Sequence, residues 1–174
     1  AVLTRQDTSD SKVRHLLAQA PGVRAFYGEK LVDVETPEEH AFQVRAVEGD
    51  ITAFPIRILE GRFFRPDTYE AIAGQGLLDW LGLEVGETIT VIVGDQRSRP
   101  VTWRIVGKYT EPVNVGQMLM VDYATLDRLI RHQAPQTYYL NLASDASPEQ
   151  LKHYLEPRED ADLNFTLAGQ AIPS

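Results

Sequence analysis

The stretch YEAIAGQGLLDWLGLEVGETITVIVGDQRSRPVTWRIVGKY, from Tyr69 to Tyr109, contains the pattern that decides the fold. It opens with a short apolar segment, Glu70 to Ala73, and Gly74 then leads into a small amphipathic helix that carries three leucines. The helix is predicted to end at Gly82, because helices commonly end at a residue that can take a positive φ.

After this helix in the chain, the sequence predicts a β-hairpin. Residues 82–89 follow the pattern GLxxGExI, which leads into a strand. The segments Thr88 to Val93 and Val101 to Val106 are rich in β-branched residues, which favour strands. The polar segment from Gly94 to Pro100 lies between them and has the composition of a turn.

Further motif residues flank this stretch on both sides. Gly61-Arg62-Phe63-Phe64 precedes it, and Gln117 to Val121, an apolar strand, follows it with a short helix from Asp122 to Leu126. In this order and spacing, the pieces resemble the extracytoplasmic domain of MacB/FtsX-type ABC transporter permeases. That family carries a GRxF segment, an apolar strand, a helix, a glycine turn, a hairpin and a strand that ends in VVG, here Ile105-Val106-Gly107. The resemblance extends over about Gly49 to Ile130.

The resemblance implies an α+β fold with two lobes. Residues 1–53 and 133–174 are expected to form a membrane-proximal, porter-like α+β lobe. Residues 54–132 are expected to form an inserted, β-rich lobe with short helices. Because both chain ends would continue into one membrane, Ala1 and Ser174 are expected to lie on the same side of the fold.

The N-terminal part predicts a helix followed by strands. Thr8-Ser9-Asp10 can cap a helix whose apolar face recurs at helical spacing up to Ala20. Two strands are predicted next, Val23 to Tyr27 and Leu31 to Glu35, joined near Gly28-Glu29. Ala41 to Val47 is predicted to be a third strand of the same meander.

The C-terminal part predicts a strand, a helix and a strand. Tyr138 to Leu142 and Leu163 to Leu167 have the apolar composition of strands. Between them, Ser147 is placed to cap a helix, with Pro148 at its first position and Gln150 completing a capping box. This order is typical of a βαβ or split-βαβ unit.

Composition excludes several classes of function. The 174 residues are 43% hydrophobic and 24% charged, and the net charge is −8. A negative chain without a basic run is not suited to nucleic acid or to anionic lipid head groups. The chain has no cysteine, which excludes disulfides and thiolate chemistry. It also contains no apolar run long enough to cross a bilayer.

The sequence offers no catalytic, cofactor-binding or metal-binding residues. No two histidines stand at helical pair spacing, and the acidic C-terminal residues lack the spacing of a calcium loop. Ser98 lies in a turn and Ser147 is used as a helix cap, so no Ser-His-Asp set can be assembled. No nucleotide-binding loop occurs. The residues considered as catalytic or metal-binding candidates, and not assigned such a role, are His15, His40, His132, His153, Glu38, Glu39, Ser98, Ser147, Glu156, Glu159, Asp160 and Asp162.

The large apolar side chains are predicted to pack in the core, among them Phe63, Phe64, Trp80 and Trp103. The segment Val113 to Val115 is the one place where exposed apolar residues are suggested as a contact for a partner. Even there, core packing is the favoured expectation.

The resemblance implies a non-catalytic extracytoplasmic domain of an ABC permease in the cell membrane, with no cofactor. Its partners would be an ABC ATPase, reached through membrane helices on either side, and an extracytoplasmic protein or exported substrate. A stand-alone secreted binding or adaptor module is the first alternative. A small hydrolase is the second, and a pocket with convergent titratable groups would favour it.

Overall fold

The computed structural model of the chain describes residues 1–6, 8–49, 51, 54–93, 99–129 and 134–156, and the backbone of 165–168. Strands and short helices are both present, which confirms the predicted α+β class. No helix in the described part is long and apolar enough to span a bilayer. The elements are β1 (Val2–Arg5), α1 (Asp10–Ala18), β2 (Val23–Glu35), β3 (Ala41–Gly49), β4 (Ile58–Gly61), β5 (Glu70–Gly74), α2 (Gln75–Leu81), β6 (Thr88–Val93), β7 (Pro100–Tyr109), β8 (Met118–Asp122), α3 (Tyr123–Leu129), β9 (Thr137–Leu142), α4 (Pro148–Leu155) and β10 (Phe165–Ala168).

The chain packs into two compact units. Unit 1 contains residues 1–29, 48–55 and 133–174, and unit 2 contains residues 30–47 and 56–132. Residues 30–47 pack within unit 2, whereas the sequence-based assignment places them in the lobe of the chain ends. The assignment of the two lobes as functional domains stays a prediction.

Unit 1 has a small antiparallel sheet in the order β10-β1-β9-β2, to which β2 contributes its first part. Strand β1 is antiparallel to both neighbours, so β9 and β10 run parallel to each other on either side of it. Together with α4, which connects them in the chain, they form the split version of the predicted βαβ unit. The core residues of unit 1 are Leu3, Val13, Leu17, Ala20, Tyr138, Leu140, Leu151 and Leu155.

Serine side chains cap both helices of unit 1 at the positions that the sequence predicts. Ser9 Oγ accepts a hydrogen bond from Lys12 N at 3.3 Å at the start of α1. Ser147 Oγ accepts one from Gln150 N at 3.4 Å at the start of α4, whose first residue is Pro148. Each cap satisfies a backbone N–H that has no partner inside its helix.

The prediction of two strands joined near Gly28 is wrong, because β2 is one continuous strand. Val23 to Glu35 form one strand that passes through Gly28 without a turn. Gly28 is buried, and a Cβ atom placed on it would lie 2.9 Å from Pro135 Cβ and 3.0 Å from Arg14 Nη2. The glycine therefore allows Pro135 and Arg14 to approach the strand closely, and it does not mark a turn.

Unit 2 is built around β5, which pairs in parallel with β7 and antiparallel with β8. Strand β3 pairs in parallel with β8, β4 pairs antiparallel with β7, and β6 pairs with β7 and with the end of β2. Trp103 is completely buried in the core, as predicted. Trp80 on α2 is 40% exposed, so its predicted place in the core is wrong, and Phe63 and Phe64 are half-buried.

The glycine turn after α2 has the conformation that its sequence predicts. Gly82 ends the helix with φ 66° and ψ 37°. Gly86 has φ 102°, and its N–H donates to Ile105 O at 2.8 Å, which ties the turn to β7. A Cβ atom on either glycine would meet nothing within 4 Å, so backbone conformation alone favours glycine there. Residues 94–98 of the predicted hairpin turn lie outside the described residues.

The GRxF segment is held at the start of β5 by a carboxylate. Arg62 Nη1 donates to Glu70 Oε1 at 3.0 Å, and its Nη2 donates to Glu70 Oε2. The Arg65 backbone N–H donates to Glu70 Oε1 at 2.9 Å. The hydrogen bond from Arg62, followed by those from Arg65, holds the pKa of Glu70 far below its usual range.

We expect Gly86→Val to destabilise the chain by roughly 1 kcal/mol or more, because valine is strained at a positive φ. Gly82→Asn is the matched control, because asparagine tolerates the left-handed region at φ 66°. Urea unfolding of both variants checks this. Equal stability of Gly86→Val and wild type would contradict a conformational role for this glycine.

We also expect Glu70→Gln to lower stability at neutral pH. The folded-state pKa of Glu70 lies below its unfolded value of about 4.3, so its contribution is complete well above that pH and falls as the pH drops through the folded pKa. The difference in free energy of unfolding between wild type and Glu70→Gln should therefore become smaller below about pH 4. Urea unfolding at several pH values measures it, with Glu38→Gln as the control for the loss of one charge. A difference that does not change with pH would argue against the pairing.

Candidate interaction surface

The segment between β7 and β8, residues 111–117 and here called the 111–117 loop, exposes two apolar side chains. Val113 is 43% exposed and Val115 is 88% exposed, the largest value for any large hydrophobic side chain in the described part of the chain. The suggested exposure of this segment is thus observed, and core packing of these two valines is wrong.

The backbone of the loop is strained where Val115 projects. Asn114 has φ 54° and Val115 has φ 56° and ψ 29°, two consecutive residues in the left-handed region. Asparagine tolerates this region, but a β-branched residue there is an outlier. The conformation costs about 1–2 kcal/mol at Val115 and persists only where the surroundings hold it.

On one side, the strained turn packs closely against two glycines of unit 2. A Cβ atom on Gly76 would lie 2.0 Å from Val115 O, and one on Gly74 would lie 2.1 Å from Gly116 O. No side chain fits at such distances, so both glycines are needed for the loop carbonyls to approach the start of α2. The turn is therefore packed backbone to backbone against the helix.

Strand β3 holds the other side through polar side chains. Arg45 Nη2 donates to Glu111 Oε1, and these two side chains are only 9% and 3% exposed. Asn114 Nδ2 donates to Gln43 Oε1 at 3.1 Å. Gln43 and Arg45 stand two residues apart in the strand and therefore share a face. A buried charge pair and a hydrogen bond between two side-chain amides thus fix the loop to β3.

Tyr109 lies beside this charge pair at the end of β7. It is 1% exposed, and its burial, followed by the nearby Glu111 carboxylate, raises the pKa of its hydroxyl well above the ordinary value. The tyrosine therefore stays neutral at physiological pH. It contributes packing next to the pair and no additional charge.

The exposed part of the loop carries no net charge. Glu111 is compensated by Arg45, and Asn114 and Gln117 are uncharged amides. In a chain with a net charge of −8, this is a neutral surface with an apolar tip. Such a surface suits an apolar contact rather than an ionic one.

Those residues considered for catalysis or metal binding that the structure describes do not assemble into a site. His40 stacks edge-on against Trp80 at a ring distance of 5.0 Å, His15 lies within 3.5 Å of Gln19, and Ser147 is a helix cap. Within the described residues no three His, Asp or Glu side chains are grouped to hold a metal ion. His132, Ser98, Glu159, Asp160 and Asp162 lie outside the described residues.

An open cleft in unit 2, about 570 Å³ in volume, is lined by charged and apolar residues. Glu60, Asp79 and Glu84 contribute carboxylates, and Lys108 pairs with Glu60 at 3.7 Å. No serine or histidine is among the residues that line this cleft. The cleft therefore holds no Ser-His-Asp set.

Comparison with known protein families identifies one matching family model. A family model for the MacB-like periplasmic core domain matches residues 3–158. No curated protein sequence matches the chain significantly.

Solved structures of two transporter domains share the fold. The periplasmic region of MacB from Actinobacillus actinomycetemcomitans superposes with a TM-score of 0.68 at 10% identity, covering 95% of this chain and 86% of that one. The extracellular domain of the noncanonical ABC-type transporter YknZ from Gram-positive bacteria superposes with a TM-score of 0.63 at 12% identity, covering 88% of this chain and 87% of that one. At such identities the likeness concerns the fold.

We expect Val115→Asn to stabilise the chain by about 1 kcal/mol, because asparagine adopts a positive φ with less strain. For a chain of this size that gain corresponds to a rise in Tm of about 2–4 °C. Val113→Asn is the matched control, since Val113 is also exposed but has an ordinary φ of −98°. Thermal unfolding measures both variants. A Val115→Asn variant that is no more stable than Val113→Asn would show that the turn is not strained.

Proposed function

The chain belongs to the MacB-like periplasmic core domain family, and we propose that it transmits ATP-driven movement of an ABC permease to a partner outside the cell. The family match over residues 3–158 is the observation that carries this proposal. In such a transporter the ATPase acts on the inner side of the membrane, and the membrane helices connect it to the outer domain. The domain itself performs no chemical step.

The placement of the first and last described strands supports this role. Val2 at the start of β1 pairs with Ala168 at the end of β10, and the strands are antiparallel neighbours. The start of β1 and the end of β10 therefore lie at the same end of the sheet of unit 1, and Ser174 lies outside the described residues. Such an arrangement suits a domain inserted between two membrane helices.

The proposed partners follow from the same role. An ABC ATPase would act through the membrane helices, and an extracytoplasmic protein or an exported substrate would receive the movement. We place the domain on the extracytoplasmic side of the cell membrane. Movement of packed units about hinges is sufficient for this function and needs no nucleophile or metal.

Hydrogen–deuterium exchange in the full-length permease, reconstituted with its ATPase, tests the transmission. Addition of a non-hydrolysable ATP analogue should change the exchange of backbone amides within residues 3–158. An ATPase variant that cannot bind nucleotide is the control and should abolish the change. Identical exchange with and without the analogue, in a preparation that binds it, would refute transmission through this domain.

The proposal predicts that zinc, calcium and ATP do not stabilise the 174-residue chain. A ligand with a Kd of about 1 μM, present at about 100 times that concentration, would stabilise a specific binder by roughly 2.7 kcal/mol. Thermal unfolding with each ligand at that concentration should give an unchanged Tm. A reproducible rise of several degrees with any of them would instead indicate a binding site and revive the enzyme alternative.

A further inference from the structure

We propose that the 111–117 loop is a docking point whose Val115 side chain inserts into an apolar pocket of an extracytoplasmic protein. This inference rests on the proposed function, because it requires the loop to lie outside the cell. It adds the surface and the chemistry of the contact.

The first argument is that Val115 has two unfavourable features at once. Its side chain is 88% exposed, and its backbone is in a conformation that valine rarely adopts. A side chain so exposed obtains little packing inside the described part of the chain to offset either feature. Strained residues held by their surroundings are concentrated at binding and catalytic sites. A contact with another molecule would bury the side chain and account for valine at this position.

The second argument is that the loop is already ordered for binding. Gly74 and Gly76 allow its carbonyls to pack against the start of α2, and Glu111 is bound to Arg45 in a buried pair. Asn114 is bound to Gln43 on the neighbouring strand. A loop held in its bound conformation loses little conformational entropy on association. Burial of one valine side chain on such a loop can therefore raise the affinity by about tenfold or more.

The third argument concerns the partner. The loop has an apolar tip, formed by Val115 and the half-exposed Val113, and uncharged amides beside it. The matching surface is an apolar pocket with a rim of uncharged hydrogen-bonding groups. A lipid surface is disfavoured, because membrane-binding segments need a larger apolar area or clustered basic residues, and the loop has neither. A protein pocket can enclose a single valine.

Photo-crosslinking in cells that contain the full-length permease tests the inference. A benzophenone-bearing amino acid replaces Val113, and position 115 is either the native valine or Val115→Asn. With valine, ultraviolet light should join the loop to one other extracytoplasmic polypeptide. With asparagine, the yield of that adduct should fall by about tenfold or more, as expected when one buried valine side chain is lost from the contact. Thermal unfolding of the Val115→Asn variant, which should be at least as stable as the wild type, excludes misfolding as the cause.

Glu38 provides the location control. It lies in an exposed turn of unit 2, and the chain has no native cysteine, so Glu38→Cys introduces a single thiol into residues 1–174. A membrane-impermeant maleimide should label this cysteine in intact cells. Absence of labelling would refute both the extracytoplasmic location and the docking inference.

When the Glu38→Cys chain is labelled, four outcomes would refute the docking inference alone. These are equal adduct yields with valine and with Val115→Asn, adducts with lipid, adducts only with a second copy of the same chain, or no adduct. Loss of the protein adduct in the Val115→Asn variant is the supporting result.

Discussion

Unit 2 depends on a buried strand of small residues that has a partner on each side. Ala71, Ile72 and Ala73 of β5 are completely buried between β7 and β8. The strand continues through Gly74 directly into α2, so its position also sets that of the helix. Because Gly74 and Gly76 lie at this junction, the carbonyls of the 111–117 loop can approach it closely. One buried segment thus determines the strand pairing, the helix and the exposed turn.

The sequence predicts best those features that depend on near neighbours. The caps at Ser9 and Ser147 and the helix end at Gly82 each involve residues within a few positions, and all have the predicted geometry. Gly28 is different, because its role depends on Pro135, far along the chain. A glycine flanked by strand-forming residues has the same local sequence whether it forms a turn or admits a close neighbour. The same limit explains Trp80, whose exposure depends on where α2 packs.

In the 111–117 loop, one feature can be predicted from the local sequence and another depends on distant residues. The apolar composition of Val113 to Val115 in a predicted loop indicates a contact or a core position, and only the fold distinguishes the two. The distinction depends on Arg45, which binds Glu111 from 66 positions away, and on Gly74 and Gly76 where β5 meets α2. The left-handed conformation of Val115 has no local signal, because valine itself opposes it. Tertiary packing imposes this conformation, which is why the sequence does not predict it.

The buried Arg45–Glu111 pair explains how the turn stays in one place. Removing charges from water is costly, so such a pair adds little net stability, but loss of one partner leaves a buried charge and costs about 3–5 kcal/mol. Any displacement of Glu111 from β3 therefore meets a steep rise in energy, whereas an apolar contact in the same place could slide. A domain that passes movement to a partner needs a contact point that resists displacement under load. In the proposed mechanism, the stiffness of this pair makes the Val115 turn move with β3 and β5 as one body, so that movement of the sheet reaches the partner rather than being absorbed in the loop.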